Sequence, residues 1–324
     1  MKYNQYKTLF EVLKMFKQYD VYYRSLLASI TEAMTQTTNR GEGLGALSMN
    51  ASQVVAEWYW HKSGKPYYNI HPSLINTFSK CTMDIPANLV RFPFPTFSIN
   101  LPSPEEGNPL IINEQYYIKS FLCHWSNNAS LINAARSMGL KTLDGRSGDE
   151  NRMIIWIDIG ETEKAFDGKD LPIYTYRQLA YVGDESIDVA LHKLPPDDSA
   201  NIGVVINEET ILKCIKLMIS VCFLVESNDP LVLPDILAKD RFLLEDADEE
   251  KLKQLQEKAR LKDKFGWIIG IENGRKIAGG EHQLSYAHIR TGHWHKVLFG
   301  VGKKQFKVIW YRPVTVRPDL PMKL

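Results

Sequence analysis

The spacing of apolar residues predicts helices in the first quarter of the chain. Between residues 3 and 36, apolar side chains recur three and four positions apart, which is typical of an amphipathic helix. The same pattern predicts a second helix over residues 51–61, which the Gly64-Lys65-Pro66 run ends, and a short third helix over residues 73–80. We therefore expect residues 1–82 to form an N-terminal helical part.

The pattern then changes to that of strands. Within residues 88–101, apolar and polar side chains alternate after Pro95, and Pro93 and Pro95 suit an edge strand or its entry. Residues 153–159 form a continuous apolar run that ends at a glycine, as a strand buried on both faces does. Further strand candidates are residues 173–179 and 202–205.

A long apolar segment in the second half of the chain predicts a core helix. The predicted helix covers residues 207–224. Its first three residues, Asn-Glu-Glu, can cap and charge the start of a helix, and the residues after them are apolar on nearly every side. Residues 244–264 are strongly charged and predict an exposed helix or a mobile excursion, and residues 273–281 form a Gly-rich linker. These elements place an α+β body at residues 83–272.

The end of the chain predicts a β-hairpin. Two apolar-aromatic arms, residues 297–299 and 306–311, flank the Gly-Val-Gly-Lys-Lys sequence at residues 300–304. We assign residues 273–324 to a basic, His-rich hairpin segment, and all three parts could belong to one domain. The predicted fold class is α+β, with N-terminal helices packed on a mixed, mainly antiparallel sheet and a C-terminal β-hairpin.

The composition is that of a soluble globular protein, with 44% apolar and 24% charged residues in a chain of 324. No apolar run approaches the roughly 20 residues that span a bilayer, so we expect no membrane partner. The four cysteines are scattered and lack a C-x-x-C pair. We therefore expect a cytoplasmic, reduced protein without structural disulfides.

The charge distribution separates the end of the chain from the rest. From residue 283 to residue 324 there are eight Lys or Arg against one acidic residue, which is a charge of +7. The whole chain carries +1, so the remainder carries −6. This asymmetry indicates either an anionic partner for the basic end or its docking on the protein's own acidic surface.

Basic residues alternate with aromatic ones in the hairpin segment, and this combination can bind single-stranded nucleic acid. Phosphates take the positive charges and bases stack on the rings. The residues we expect to contact RNA are Trp294, Lys296, Lys303, Lys304, Lys307, Trp310 and Arg312.

Three interpretations of the clustered histidines remain open. His288, His293 and His295 with Arg290 could form the acid–base pair and phosphate clamp of a metal-independent ribonuclease. His293 and His295 could instead bind zinc, with His288 or an acid such as Asp158 or Glu161 as a further ligand. The imidazoles could also serve binding or packing alone, which is the commoner use of such a cluster. We expect no metal and no cofactor, because no spacing identifies a complete ligand set and no nucleotide-binding motif occurs.

The C-terminal motif resembles that of a family carried by phages and plasmids. Residues 287–295 (Ala-His-Ile-Arg-Thr-Gly-His-Trp-His), the Gly-x-Gly turn at 300–302, and the segments 306–310 and 313–316 are similar to the end of that family. The family includes the type V-A anti-CRISPR protein that represses biogenesis of the type V CRISPR effector nuclease. The upstream run at 92–101 is similar to the family's Leu-Pro-aromatic strand, whereas Thr291 stands where the family has a second Arg.

The resemblance implies a mobile-element protein that acts during translation, recognises the nascent polypeptide of its target and lowers the encoding mRNA. Its implied partners are RNA or a translating ribosome and that nascent polypeptide. Our leading hypothesis is a cytoplasmic protein that down-regulates a transcript while its basic hairpin contacts RNA. The alternatives are the metal-independent ribonuclease and a non-catalytic protein- or peptide-binding module.

Overall fold

The structure of the chain is a computed structural model. The structure describes residues 2–8, 21, 23–26, 28–29, 32, 45–112, 116–126, 152–164, 170–180, 185–192, 206–227, 232–235, 250, 266–270, 288–290, 292–311 and 314–316.

In this described part, seven strands form one mixed sheet in the order β5-β4-β3-β2-β1-β7-β6. The strands are β1 (Tyr67–Ile70), β2 (Thr96–Asn100), β3 (Ser120–Ser126), β4 (Arg152–Lys164), β5 (Asp170–Ala180), β6 (Val232–Pro234) and β7 (Gly266–Ile269). Strand β1 pairs in parallel with β2 and β7, and the other four neighbouring pairs are antiparallel. The expected mixed, mainly antiparallel sheet is therefore confirmed.

The helices cover both faces of the sheet. The continuous α-helices of the described part are α1 (Gly45–Lys62), α2 (Pro72–Ser79), α3 (Ile187–His192) and α4 (Glu208–Glu226). Alternate residues of β4 show the two layers, because Ile155 packs in the large core with α2, α3 and α4, whereas Trp156 packs with Trp60 of α1. Residues 153–159 of β4 are thus buried on both sides, as their unbroken apolar run predicts.

Helix α4 forms where the sequence predicts a core helix. The side chain of Asn207 caps it by accepting a hydrogen bond from the Thr210 amide at 2.8 Å, and two glutamates occupy its first turn. Twelve of its residues are buried, since sheet, α2 and hairpin surround it.

The chain ends in a second, separate β-structure. Strands β9 (His293–Phe299) and β10 (Gln305–Tyr311) form the expected antiparallel hairpin, and β8 (His288–Arg290) pairs with β11 (Val314–Val316). The α+β class with a C-terminal hairpin is confirmed. Within the described part, no helix is both long and apolar enough to cross a bilayer.

One local prediction holds only in part, and another is wrong. Residues 96–100 form a central strand rather than an edge strand, with every residue of β2 buried between β1 and β3. Pro93 and Pro95 lie at the entry to this strand, which is the second of the two placements expected for them, so they remove no N–H group from its ladder. The helix predicted from residue 3 does not include residues 3–8, because Tyr3 bridges to Pro102 and the Asn4 amide donates to the Leu101 carbonyl at 3.0 Å.

The predicted second and third helices are present as α1 and α2, with α1 beginning six residues before the predicted start. The division at residues 82 and 272 stays a prediction, although β1, from the expected helical part, lies inside the sheet. The candidate strand at 202–205, the linker at 273–281 and nearly all of the charged segment 244–264 lie outside the described residues. All four cysteines are free and buried.

Candidate functional site on the C-terminal hairpin

The two ladders of the C-terminal segment share one register. Tyr311 pairs with His293 in the β9–β10 ladder, and three residues further along each strand Val314 pairs with Arg290 in the β8–β11 ladder. The β8–β11 ladder is therefore a continuation of the hairpin. Because side chains alternate along strands, the hairpin has two distinct faces, and directly paired residues share a face.

One face is anchored in the core of the body through Trp294 and Trp310. These residues are paired across the hairpin, their ring centroids lie 5.2 Å apart, and they are 2% and 7% exposed. Trp294 packs against Phe223 of α4 at 5.1 Å, and Trp310 packs against Phe78 of α2 at 5.3 Å. We call this face the inner face.

Two hydrogen bonds of Trp294 fix the orientation of the hairpin on the body. The indole Nε1 of Trp294 donates to Ser220 Oγ of α4 at 3.1 Å, and the Trp294 amide donates to the Thr82 carbonyl at 3.4 Å. The buried indole N–H thus has an acceptor, and the same hydrogen bond gives Ser220, a polar residue inside an apolar helix, a partner for its hydroxyl oxygen.

The burial of both tryptophans corrects their expected role. A base can stack only on an exposed ring, and the faces of these two indoles are covered by core residues. Trp294 and Trp310 therefore belong to the packing of the hairpin, and they are removed from the set of expected RNA contacts.

The opposite, outer face carries three polar rings. The His293 and Tyr311 rings are stacked with centroids 5.1 Å apart and planes 12° apart. His295 lies two residues along β9, with its ring 5.9 Å from Tyr311 and 6.3 Å from His293. The structure therefore brings together two of the three candidate histidines, and it adds Tyr311, which sequence reasoning used only as an aromatic arm residue.

The tip of the hairpin combines positive charge with exposed apolar groups. Lys303 and Lys304 stand in the turn, where Gly300 and Gly302 have positive φ values of 78° and 68° that favour glycine. Val301 in the same turn is 98% exposed.

Two further lysines stand on the arms beside aromatic rings. The ammonium of Lys296 lies 4.5 Å from the Phe306 ring centroid, and that of Lys307 lies 5.7 Å from the Phe299 centroid. Lys307 and Phe299 belong to the outer face, whereas Lys296 and Phe306 belong to the inner one. Of the expected RNA contacts, four lysines are thus grouped along one projecting hairpin.

The remaining candidates are placed only in part. His288 and Arg290 lie on β8, but their side chains, and Arg312 as a whole, lie outside the described residues. The ribonuclease interpretation needs those groups, so it stays a prediction. In chemical terms the His293–His295 pair offers two imidazoles on one face, which can exchange protons or hydrogen-bond an anion.

The described side chains do not provide the ligand set that the zinc interpretation requires. No three His, Cys, Asp or Glu side chains of the described part are grouped as a metal site requires. Asp158 lies within β4, where its Oδ1 accepts the Gly160 amide at 2.7 Å, and burial raises the pKa of its carboxyl. The Glu161 side chain lies outside the described residues.

The geometry thus defines an α+β protein whose basic, aromatic hairpin is anchored to its core by two tryptophans. A comparison with family models finds the AcrVA2-like family, described as the anti-CRISPR type V subtype A2 family, over residues 68–318, which are 251 of the 324 residues. The chain therefore belongs to this family of anti-CRISPR proteins.

Comparisons with other known proteins add less. A solved structure described as the crystal structure of AcrVA2 is similar over 91% of this chain and 85% of that chain, at 14% identity and a TM-score of 0.46. No curated protein matches the sequence.

Proposed function

We propose that this anti-CRISPR protein comes from a mobile genetic element and acts in the cytoplasm by down-regulating a target transcript during translation. In this proposal the protein recognises the nascent polypeptide of its target, and its hairpin contacts the RNA or the translating ribosome. The observation that carries the RNA contact is the grouping of Lys296, Lys303, Lys304 and Lys307 on one anchored hairpin. The family to which the chain belongs supports a type V effector as the target.

The physical basis of the RNA contact is electrostatic. The last 42 residues carry +7 while the rest of the chain carries −6, so an RNA backbone is attracted to this end and repelled elsewhere. The tryptophan anchor holds the hairpin in one orientation, and the lysines therefore present a defined surface rather than a free tail.

Replacing Lys303 and Lys304 by alanine should weaken RNA binding and lower its salt dependence. Each lost phosphate contact removes about 0.7 from the slope of log affinity against log salt for a single strand. The measurement is fluorescence anisotropy with a labelled, unstructured RNA 20-mer at several salt concentrations. Lys213→Ala serves as the matched control, because Lys213 lies on α4 and pairs with Glu209 at 2.7 Å.

An affinity that does not change with salt, or an equal loss in the Lys213 variant, would contradict a phosphate contact at the tip. A slope reduced only in the tip variant supports it.

The dependence on translation requires a test in cells. A transcript encoding a type V effector should fall in abundance when the protein is co-expressed. A matched transcript with one nucleotide inserted after the start codon keeps nearly the same RNA but encodes a different peptide. We expect this second transcript to be spared, because the nascent polypeptide is part of the recognition. Equal losses of both transcripts would argue against peptide recognition.

A further inference from the structure

The outer face of the hairpin carries exposed aromatic rings, whereas the two tryptophans of the inner face are buried. Tyr311 is 45% exposed, and His295, on the neighbouring strand, is exposed as well. Both lie on the side that turns away from the core, since Trp294 and Trp310 occupy the opposite side of the same two strands.

These rings form a continuous surface rather than separate side chains. His293 stacks on Tyr311 within 12° of parallel, and His295 meets the same tyrosine edge-on at 67°. Alternate positions on one strand lie about 6.6 to 6.8 Å apart, which places the two imidazoles as neighbours along the face. The tyrosine contacts both imidazoles before any ligand binds, so little side-chain entropy remains to be lost on binding.

Positive charge continues the same face toward the tip. Lys307 lies on the outer face four residues before Tyr311, and the turn lysines Lys303 and Lys304 follow beyond it. Rings followed by ammonium groups along one face match a nucleic acid strand, whose bases stack while its phosphates take the charge.

We propose that this ring surface stacks with unpaired bases, so that the RNA partner of the hairpin is single-stranded. The inference rests on the proposed RNA contact and narrows it to one class of RNA. In a duplex the flat faces of the bases are covered by their neighbours, and only phosphates and groove edges remain accessible. Lysines alone bind both kinds of RNA, whereas the ring surface adds affinity for the unpaired one only.

The test uses the full chain, a labelled oligouridine 20-mer and a 20-base-pair RNA duplex. Tyr311→Leu should weaken binding of the single strand by about 5- to 100-fold, the effect of losing one stacked base. Tyr311→Phe, which keeps the ring, should bind within about twofold of wild type, and neither change should alter duplex binding.

Phe306→Leu is the matched control. Phe306 lies on the same strand, is also 45% exposed, and belongs to the inner face. We expect it to bind both RNAs like wild type. His295→Ala provides a second variant at an exposed position, with a smaller expected loss of about two- to fivefold on the single strand. Equal melting temperatures of the variants show that the hairpin stays folded.

The possible results distinguish base stacking on the outer face from the proposed contact between the hairpin lysines and RNA. Salt-dependent binding of both RNAs that Tyr311→Leu leaves unchanged would overturn base stacking and retain the lysine contact. Equal losses in Tyr311→Leu and Phe306→Leu would also overturn it. Absence of binding to either RNA by the wild-type protein would overturn both.

Discussion

Replacing Trp294 by alanine is expected to lower the free energy of unfolding by about 3 to 5 kcal/mol. The side chain is 2% exposed and packs between Phe223 of α4 and Trp310 of the opposite arm. Its removal leaves a cavity at the junction of hairpin and body, and the Ser220 hydroxyl loses its indole donor. Equilibrium unfolding in urea, followed by circular dichroism, measures the loss.

Phe306→Ala is the control for this prediction because it removes a large ring from the same hairpin at a position that is 45% exposed. We expect it to cost less than about 1 kcal/mol. If Trp294→Ala cost no more than Phe306→Ala, the hairpin would not be anchored as described.

The anchor also decides how binding data on these tryptophans must be interpreted. Loss of RNA affinity in Trp294→Ala would follow from undocking of the hairpin, which carries the lysines and the outer rings with it. Only a variant such as Tyr311→Leu, on an exposed side chain, tests a ring directly.

The strongest local signals in the sequence predicted their elements correctly. The apolar run of β4, the capped apolar helix α4 and the Gly-x-Gly hairpin all have patterns that need no distant partner to be recognised. Their burial follows from the same pattern, since a strand or helix that is apolar on every side must lie inside.

The strands at the centre of the sheet lack such a signal. β1 and β7 have four residues each, and they pair with one another across about 200 positions of the chain. The polar side chain of Asn69 in β1 is buried. Its amide nitrogen donates to Asp235 at 2.7 Å, and its oxygen accepts from Asn100 at 3.1 Å, so both polar atoms have partners. A buried Asn is tolerated only with such partners, and partners this remote cannot be inferred from local periodicity.

The candidate site was also predicted only as far as local sequence patterns allow, because its orientation depends on contacts with residues distant in sequence. Alternation along β9 shows that His293 and His295 share one face of the strand and that Trp294 lies on the other, and pairing across the hairpin places Trp310 beside Trp294. It does not show which face meets the core. The packing against Phe78, Ser220 and Phe223, which lie on helices distant in sequence, selects the tryptophan face for the core. The sequence alone therefore placed the tryptophans at the surface and gave Tyr311 no role beyond that of an aromatic residue in the hairpin arm.

Stability should also depend on pH through one buried histidine, His124 of β3. Burial lowers the pKa of this side chain to about 4, against a smaller opposing effect of its hydrogen bond to the Pro95 carbonyl. Its Nδ1 lies 2.7 Å from Thr96 Oγ1, and its ring stacks on Tyr59. The folded protein therefore holds the imidazole neutral where the unfolded chain, with a pKa near 6.5, takes up a proton.

This difference in pKa makes the folded state lose stability as the pH falls from about 6.5 toward 4. Over those roughly 2.5 pH units the contribution of His124 amounts to about 3 kcal/mol, at about 1.4 kcal/mol per unit. His124→Asn places an amide nitrogen near the position of Nδ1 and does not titrate, so its unfolding free energy should fall by about 3 kcal/mol less than that of wild type over this range. Urea unfolding at pH 7, 6, 5 and 4 gives the comparison, and parallel curves for wild type and His124→Asn would show that His124 is not held neutral in the fold.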